Sequence, residues 1–218
     1  EEKEEVEELW SNYRDQHKKV VEELNAKKEM IDDIKNNRKS YSEHIRQART
    51  QLEQKLTNLY KKKVPVHVFA DLFDIVDSEW KDAVEGRMGS LKLCLITEPQ
   101  YAHNAAVIFK KMKQFEDVQL INSYAIANKE SKVEKNALYE AVSGKEEYVD
   151  ACLKHYIGRI IKCRSVEELE KVREGVTPDC YSYSNFIFRH LKERDYTTGA
   201  CIGSKVSKAK LASYEEEL

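Results

Sequence analysis

The sequence predicts an α/β (α+β) globular domain of two related halves, flanked by the arms of an antiparallel coiled coil. Three observations lead there. Residues 1–62 hold no Gly and no Pro and repeat apolar side chains in a 3–4 rhythm. All 7 Gly, all 3 Pro and all 5 Cys fall between residues 64 and 203. The closing stretch, 204–218, returns to a 3–4 apolar spacing at Leu211, Tyr214 and Leu218. With 35% charged residues the chain is too polar and too poor in turn residues for an all-β sandwich or barrel.

The incoming arm is expected over residues 1–63. Position a falls at Val6, Tyr13, Val20, Lys27, Ile34, Tyr41, Ala48 and Lys55; position d falls at Trp10, His17, Leu24, Ile31, Arg38, Ile45, Leu52 and Leu59. Twelve of these sixteen are apolar or aromatic, a repeat long enough to argue for a coiled coil rather than a surface helix. Such a rod would be about 90 Å long at ~1.5 Å per residue. It stops before Pro65, because proline keeps the preceding residue out of helical geometry. The outgoing arm is expected to start at 204 and run back along the first. The chain begins at Glu1 and stops inside this second helical pattern, so it reads as a piece of a longer protein.

Between the arms, residues 64–203 form the globular domain. A strand is expected over 66–70. Asp77 or Ser78 would cap a helix through 79–85 that stops at Gly86 or Gly89. The run at 91–96 (LKLCLI) has the best strand character in the chain, and Pro99 suits the first turn of a helix from 100 to about 115. A further strand is expected at 118–121. The second half repeats the order: a helix over 146–156 ending near Gly158, a strand at 159–163, and a helix from 166 to 173 capped by Ser165. Residues 181–191 are aromatic-rich and extended or mixed. The segment 122–145 reads as a loop with a short helix near 137–142.

Few residue groups carry chemistry. The cysteines Cys94, Cys152, Cys163, Cys180 and Cys201 are odd in number and widely spaced, which fits free thiols in a reducing cytoplasm rather than a disulfide framework. Cys152 and His155 lack the second pair that a zinc site needs, so no metal is expected. The stretch 199–205 (GACIGSK) misses phosphate-loop spacing by one residue on each side of its second glycine. Asp71, Asp74 and Asp77 could hold a divalent cation, although capping is the commoner use of such residues. No cofactor is expected. No apolar run approaches ~18 residues and no leader opens the chain, so neither a membrane span nor secretion is expected. Lys61, Lys62 and Lys63 end the incoming arm, and Lys205, Lys208 and Lys210 begin the outgoing one. On antiparallel helices these six would meet at one neck and could contact DNA phosphates.

Residues 69–77 (FADLFDIVD), followed by Trp80, Gly89 and 91–96, resemble the opening of the hinge domain of SMC proteins. Residues 159–163 (RIIKC), 175–179 (GVTPD) and 199–203 (GACIG) resemble its later strand, its VT-x-D turn and its glycine-rich close. The wording is most similar to divergent bacterial SMC-like ATPases of the MukB and Wadjet (JetC) kind. Two departures stand out: the closing glycines are separated, and 122–145 has no counterpart in the pattern. The resemblance implies a homodimer joined through the hinge, each copy at the apex of its coiled-coil arm. It implies DNA as a partner, a cytoplasmic, nucleoid-associated setting, and a role in chromosome organisation or plasmid defence. ATPase heads and kleisin-type partners would be reached only through sequence outside this chain, which would itself catalyse nothing. Gly86, Gly89, Gly199 and Gly203 are the candidate dimer-interface residues, since a missing Cβ lets backbones approach. Two other readings fit the same residues: a coiled-coil scaffold with an α/β protein-binding insert, and a nuclease or nucleotide-processing insert.

Overall fold

The computed structural model describes residues 2–35 and 41–203. They fall into two compact units, with helix α1 (Glu2–Lys35) in one and residues 41–203 in the other. The expected outgoing arm, with Lys205, Lys208 and Lys210, lies outside the described residues. On α1 the heptad residues Val6, Trp10, Tyr13 and Val20 are all exposed.

The rest of the expected incoming arm behaves differently. Ser42 accepts the Ile45 amide at 3.4 Å and starts α2 (Glu43–Tyr60), which ends on Lys61 in the left-handed region. Its buried residues are Ile45, Ala48, Leu52 and Leu56. The steps of 3, 4 and 4 make eleven residues over three turns, which is the stripe of a straight helix rather than of a left-handed supercoil. The heptad positions Lys55 and Leu59 are exposed, Leu59 at 55%. The stripe packs on Val64, Val66, Val68, Leu95, Tyr101, Ala105, Met112, Phe115 and Val118. Burying Leu52 and Leu56 contributes about 1.5–3 kcal/mol each. The compact domain therefore starts at Tyr41, some twenty residues before the boundary that Pro65 suggests, because α2 spends its apolar face on the domain itself.

After α2 the chain doubles back. Thr57 Oγ1 accepts the Val64 amide at 3.2 Å, and Glu53 Oε2 accepts the Val66 amide at 2.9 Å. These side chains are one turn apart, so the segment runs antiparallel along the helix into β1 (His67–Val68). An 18-residue helix spans about 27 Å, and a hydrogen bond from Tyr41 to Asp71 shows that the returning segment reaches back to the start of α2.

The first half continues with β2 (Phe73–Ile75), α3 (Lys81–Met88), β3 (Leu95–Ile96), α4 (Ala102–Phe109) and α5 (Ser123–Ala127). Asp77 accepts the Glu79 amide ahead of α3, and Gly89 at φ +50° ends it, as the capping pattern predicts. Strand β1 pairs antiparallel with β3, Val68 opposite Leu95. Only the last two residues of the expected 91–96 strand pair as a strand. Residues 89–93 form a 3-10 turn instead, because Lys92 is buried and must reach an acid inside the domain. The expected strand at 118–121 reduces to one bridge, Leu120 to Leu95. The expected long helix from 100 stops as an α-helix at Phe109.

The second half holds β4 (Val142–Gly144), α6 (Glu147–Ile157), β5 (Ile161–Lys162), α7 (Val166–Leu169), β6 (Glu174–Val176), β7 (Tyr181–Ser184), β8 (Ile187–His190) and α8 (Glu193–Tyr196). The aromatic stretch at 181–191 is thus a β-hairpin. Strands β5 to β8 make one sheet in sequence order, parallel between β5 and β6 and antiparallel thereafter. The segment 122–145, expected as a loop with a short helix near 137–142, has that helix as a 3-10 turn at Leu138–Ala141 and supplies α5 and β4 as well. Strand β4 pairs with β2, Phe73 opposite Gly144, and so ties the halves together. A large core runs across them from Phe69, Phe73 and Trp80 to Val149, Leu153 and Ile160.

Candidate functional site

The two ends of the compact domain meet on one short segment. Phe69–Asp71 forms a 3-10 turn directly after β1. At the incoming end, the buried Tyr41 hydroxyl donates to Asp71 Oδ1 at 2.6 Å. Burial and the adjacent Asp71 carboxylate push this phenol well above its ordinary range, so it stays a hydrogen-bond donor. At the outgoing end, the Gly203 amide donates to the Ala70 carbonyl at 3.2 Å. Neighbouring residues of one turn therefore hold both roots, and the chain leaves the domain beside the point where it entered. Gly203 adopts φ +108°, a conformation that side chains disfavour, and a Cβ there would stand 3.2 Å from Asp74 Oδ1.

A buried ion pair locks the outgoing root from the inside. Lys92 Nζ donates to Glu85 Oε2 at 2.7 Å, with both side chains at most 2% exposed. The same ammonium donates to the carbonyls of Glu85 and Asp195, at 3.3 and 2.5 Å. The other carboxylate oxygen, Glu85 Oε1, accepts the Ile202 amide at 2.9 Å. One carboxylate and one ammonium thus fasten α3, α8 and residue 202 together.

Each glycine singled out in the sequence has a neighbour inside the chain. Gly86 faces Leu191 and Tyr196, Gly199 lies against the Arg194 carbonyl, Gly89 ends α3 and Gly203 closes the outgoing root. Lys61, Lys62 and Lys63 are exposed at the far end of α2, about 27 Å along its axis from the root at Tyr41. The neck is therefore marked by Tyr41, and the lysine run caps the opposite end of the helix. Lys62 sits 5.5 Å from the centre of the Tyr101 ring.

The acidic trio is divided among separate tasks. Asp71 accepts from Tyr41, Asp77 caps the turn before α3, and Asp74 lies beside Gly203. Cys152 is buried on α6, and burial pushes its thiol up to about 12, so it is protonated at neutral pH and a poor ligand or nucleophile. Burial and the nearby Lys129 and Arg159 hold His155 below its usual range. In the GVTPD stretch, Thr177 donates to Asp179 and accepts the Tyr181 amide, making the turn from β6 into β7. Sequence reasoning missed the roles of Tyr41, Glu85 and Lys92. The single lysine inside the apolar run at 91–96 was a signal for the buried pair, and Asn185 was one for the two-residue hairpin turn.

With this geometry, two solved structures align over nearly the whole chain. The Pyrococcus furiosus Smc hinge domain with an extended coiled coil matches at a TM-score of 0.51 and 15% identity, covering 98% of this chain and 78% of the other. The Geobacillus stearothermophilus SMC hinge domain, solved as an asymmetric dimer, matches at 0.54 and 13%, covering 93% and 80%. The chain has the SMC hinge fold. No protein-family model and no curated protein matches it. The mixed helices and small sheets agree with that fold. No helix among the described residues is long and apolar enough to cross a membrane.

Proposed function

We propose that this chain is the self-associating hinge of an SMC-like, DNA-organising ATPase, joining two copies at the apex of a folded-back coiled-coil arm. The observation that carries the reading is the convergence of Tyr41 and Gly203 on residues 69–71. A domain that returns its chain to the starting point suits the tip of a hairpin-like rod and not an insert threaded along one. The SMC hinge fold supports the same reading, and so does the dimer named for the Geobacillus stearothermophilus domain. Kinship with the MukB and Wadjet kind, ATPase heads and kleisin-type partners beyond this chain, and a nucleoid-associated setting belong to the same proposal. Gly89 and Gly203 would act by shaping the surface; the contacts themselves fall to exposed side chains.

Sedimentation equilibrium of the 218-residue chain tests it. A concentration-dependent species of twice the monomer mass is expected. It should survive Trp10→Glu with Tyr13→Glu, which removes apolar groups from the exposed α1 seam. A single monomer mass at every concentration would sink the proposal.

DNA contact is the second part of this reading. Lys61–Lys63 and Lys205, Lys208 and Lys210 are its cations, and the 27 Å length of α2 makes the first three a distinct site from the root. Charge reversal of either triplet is expected to lower the dependence of log K on log salt by about 2–3 for duplex DNA if each lysine meets one phosphate. An unchanged slope for a triplet removes it from the DNA-binding surface.

A further inference from the structure

The β7–β8 hairpin carries a feature that its own fold does not use. Ser184 opposes Ile187, so the turn between the strands has two residues, Asn185 and Phe186. Both have positive φ, +50° and +61°. Such turns favour Asn followed by Gly, and a bulky side chain at the second place strains the backbone. Phe186 is nevertheless 88% exposed and Ile187 59% exposed, so neither repays that strain by packing inside its own chain. Strain held together with exposed apolar surface marks a contact residue. Strand β8 is the edge of its sheet, and the register turns the amide and carbonyl of Phe188 away from β7. Around the tip the charge is positive. Arg189 is exposed on β8, and Arg173 stands just before Glu174, whose carboxylate is occupied by Arg87 at 3.1 Å.

Elsewhere on the domain lies a cleft of about 600 Å³, of a size that admits a small ligand or an inserted loop tip. Leu72, Pro99 and Tyr148 are among its apolar lining residues, and Glu98, Glu146 and Glu147 line it too. Among the described residues that line it there is no lysine and no arginine. We propose that Phe186 and Ile187 of one copy insert into this acid-lined cleft of a second copy, and that a two-fold axis repeats the contact in the other direction. The proposal rests on the self-association reading and names the surfaces that carry it. Charge complementarity selects the occupant: a cationic tip with an apolar point meets a cleft lined by three carboxylates and by Leu72, Pro99 and Tyr148, and both belong to this chain. A two-fold exchange makes the pair of contacts self-complementary and closes the assembly at two copies.

The test uses the whole chain with one lesion on each surface. Phe186→Asn damages the tip while relieving the turn, because asparagine accepts positive φ; Glu146→Lys with Glu147→Lys damages the cleft. Each variant alone is expected to associate at least tenfold more weakly by sedimentation, as expected for loss of a buried aromatic anchor. The Phe186→Asn chain should melt no lower than the parent monomer, which separates lost contact from lost folding. Mixing the two variants is the decisive arm. A mixed pair retains one intact contact, the tip of the cleft variant in the cleft of the tip variant, so mixing should recover association above either variant alone. If each lesion weakens association and mixing recovers nothing, the pairing of tip with cleft is wrong. If the parent dimerises and neither lesion matters, self-association uses another surface and only this inference fails. A monomeric parent removes both this inference and the reading beneath it.

Discussion

Lys92→Met is expected to destabilise the domain by about 3–5 kcal/mol, the range for removing one partner of a buried ion pair. Methionine can fill the space of the lysine stem, so volume is not the main loss. The substitution leaves Glu85 Oε2 and the carbonyls of Glu85 and Asp195 without their donor, in a site where both side chains of the pair are at most 2% exposed. The double variant Glu85→Leu with Lys92→Met should cost less than the sum of the single changes, since no charge is then stranded. It should still fall below the parent, because the Ile202 amide loses the Glu85 carboxylate. Urea unfolding followed by circular dichroism measures both. A Lys92→Met chain within about 1 kcal/mol of the parent would mean that water reaches the pair and that it holds nothing in place. The functional consequence follows from Ile202, which stands immediately before Gly203 at the outgoing root. Loosening it would free Gly203 from the turn at 69–71 that also holds Tyr41.

The second large effect separates two leucines on one helix. Leu56→Ala should cost about 2–5 kcal/mol, because Leu56 is fully buried against the domain and its loss leaves a cavity. Leu59→Ala should change stability by no more than about 0.5 kcal/mol, since Leu59 is 55% exposed. A continuous heptad seam would reverse this order, because Leu59 occupies a d position and Leu56 does not. Thermal melts of the two variants side by side decide it. Equal effects, or a larger one at Leu59, would place α2 in the coiled coil and return the domain boundary to Pro65.

These two cases show how the sequence can be read correctly in kind and differently in register. The apolar periodicity of residues 43–60 announces a helix with one buried face. Three of its four buried residues, Ile45, Ala48 and Leu52, sit on heptad positions as well as on the stripe of a straight helix. Over so short a span the 3.5 and 3.6 periods coincide. They part only at Leu56, where contact with Val64 and its neighbours decides the outcome. The run at 91–96 illustrates the converse. Its local preference is for a strand, but a buried lysine needs an acid, and the nearest is Glu85 on α3. Residues 89–93 therefore wind into a 3-10 turn that brings Nζ to it. Strand β4 was hidden for a related reason: three residues ending in a glycine carry no pattern of their own and become a strand only against β2.

By itself, the sequence determined the class of the protein: a charged, Gly-free helical arm ahead of a mixed α/β domain, with Asp77 and Ser165 opening turns of helix and Gly89 closing one. Those features act over a few residues, through backbone sterics and capping, and need no distant partner. The tertiary structure alone decided that α2 belongs to the domain and that Lys92 lies buried on Glu85. It alone decided that Tyr41 and Gly203 meet on one turn while Lys61–Lys63 stand a helix length away. Each of these depends on contacts between residues far apart in the chain, and hydrophobic burial and ion pairing declare their partners only when the folded chain brings them together.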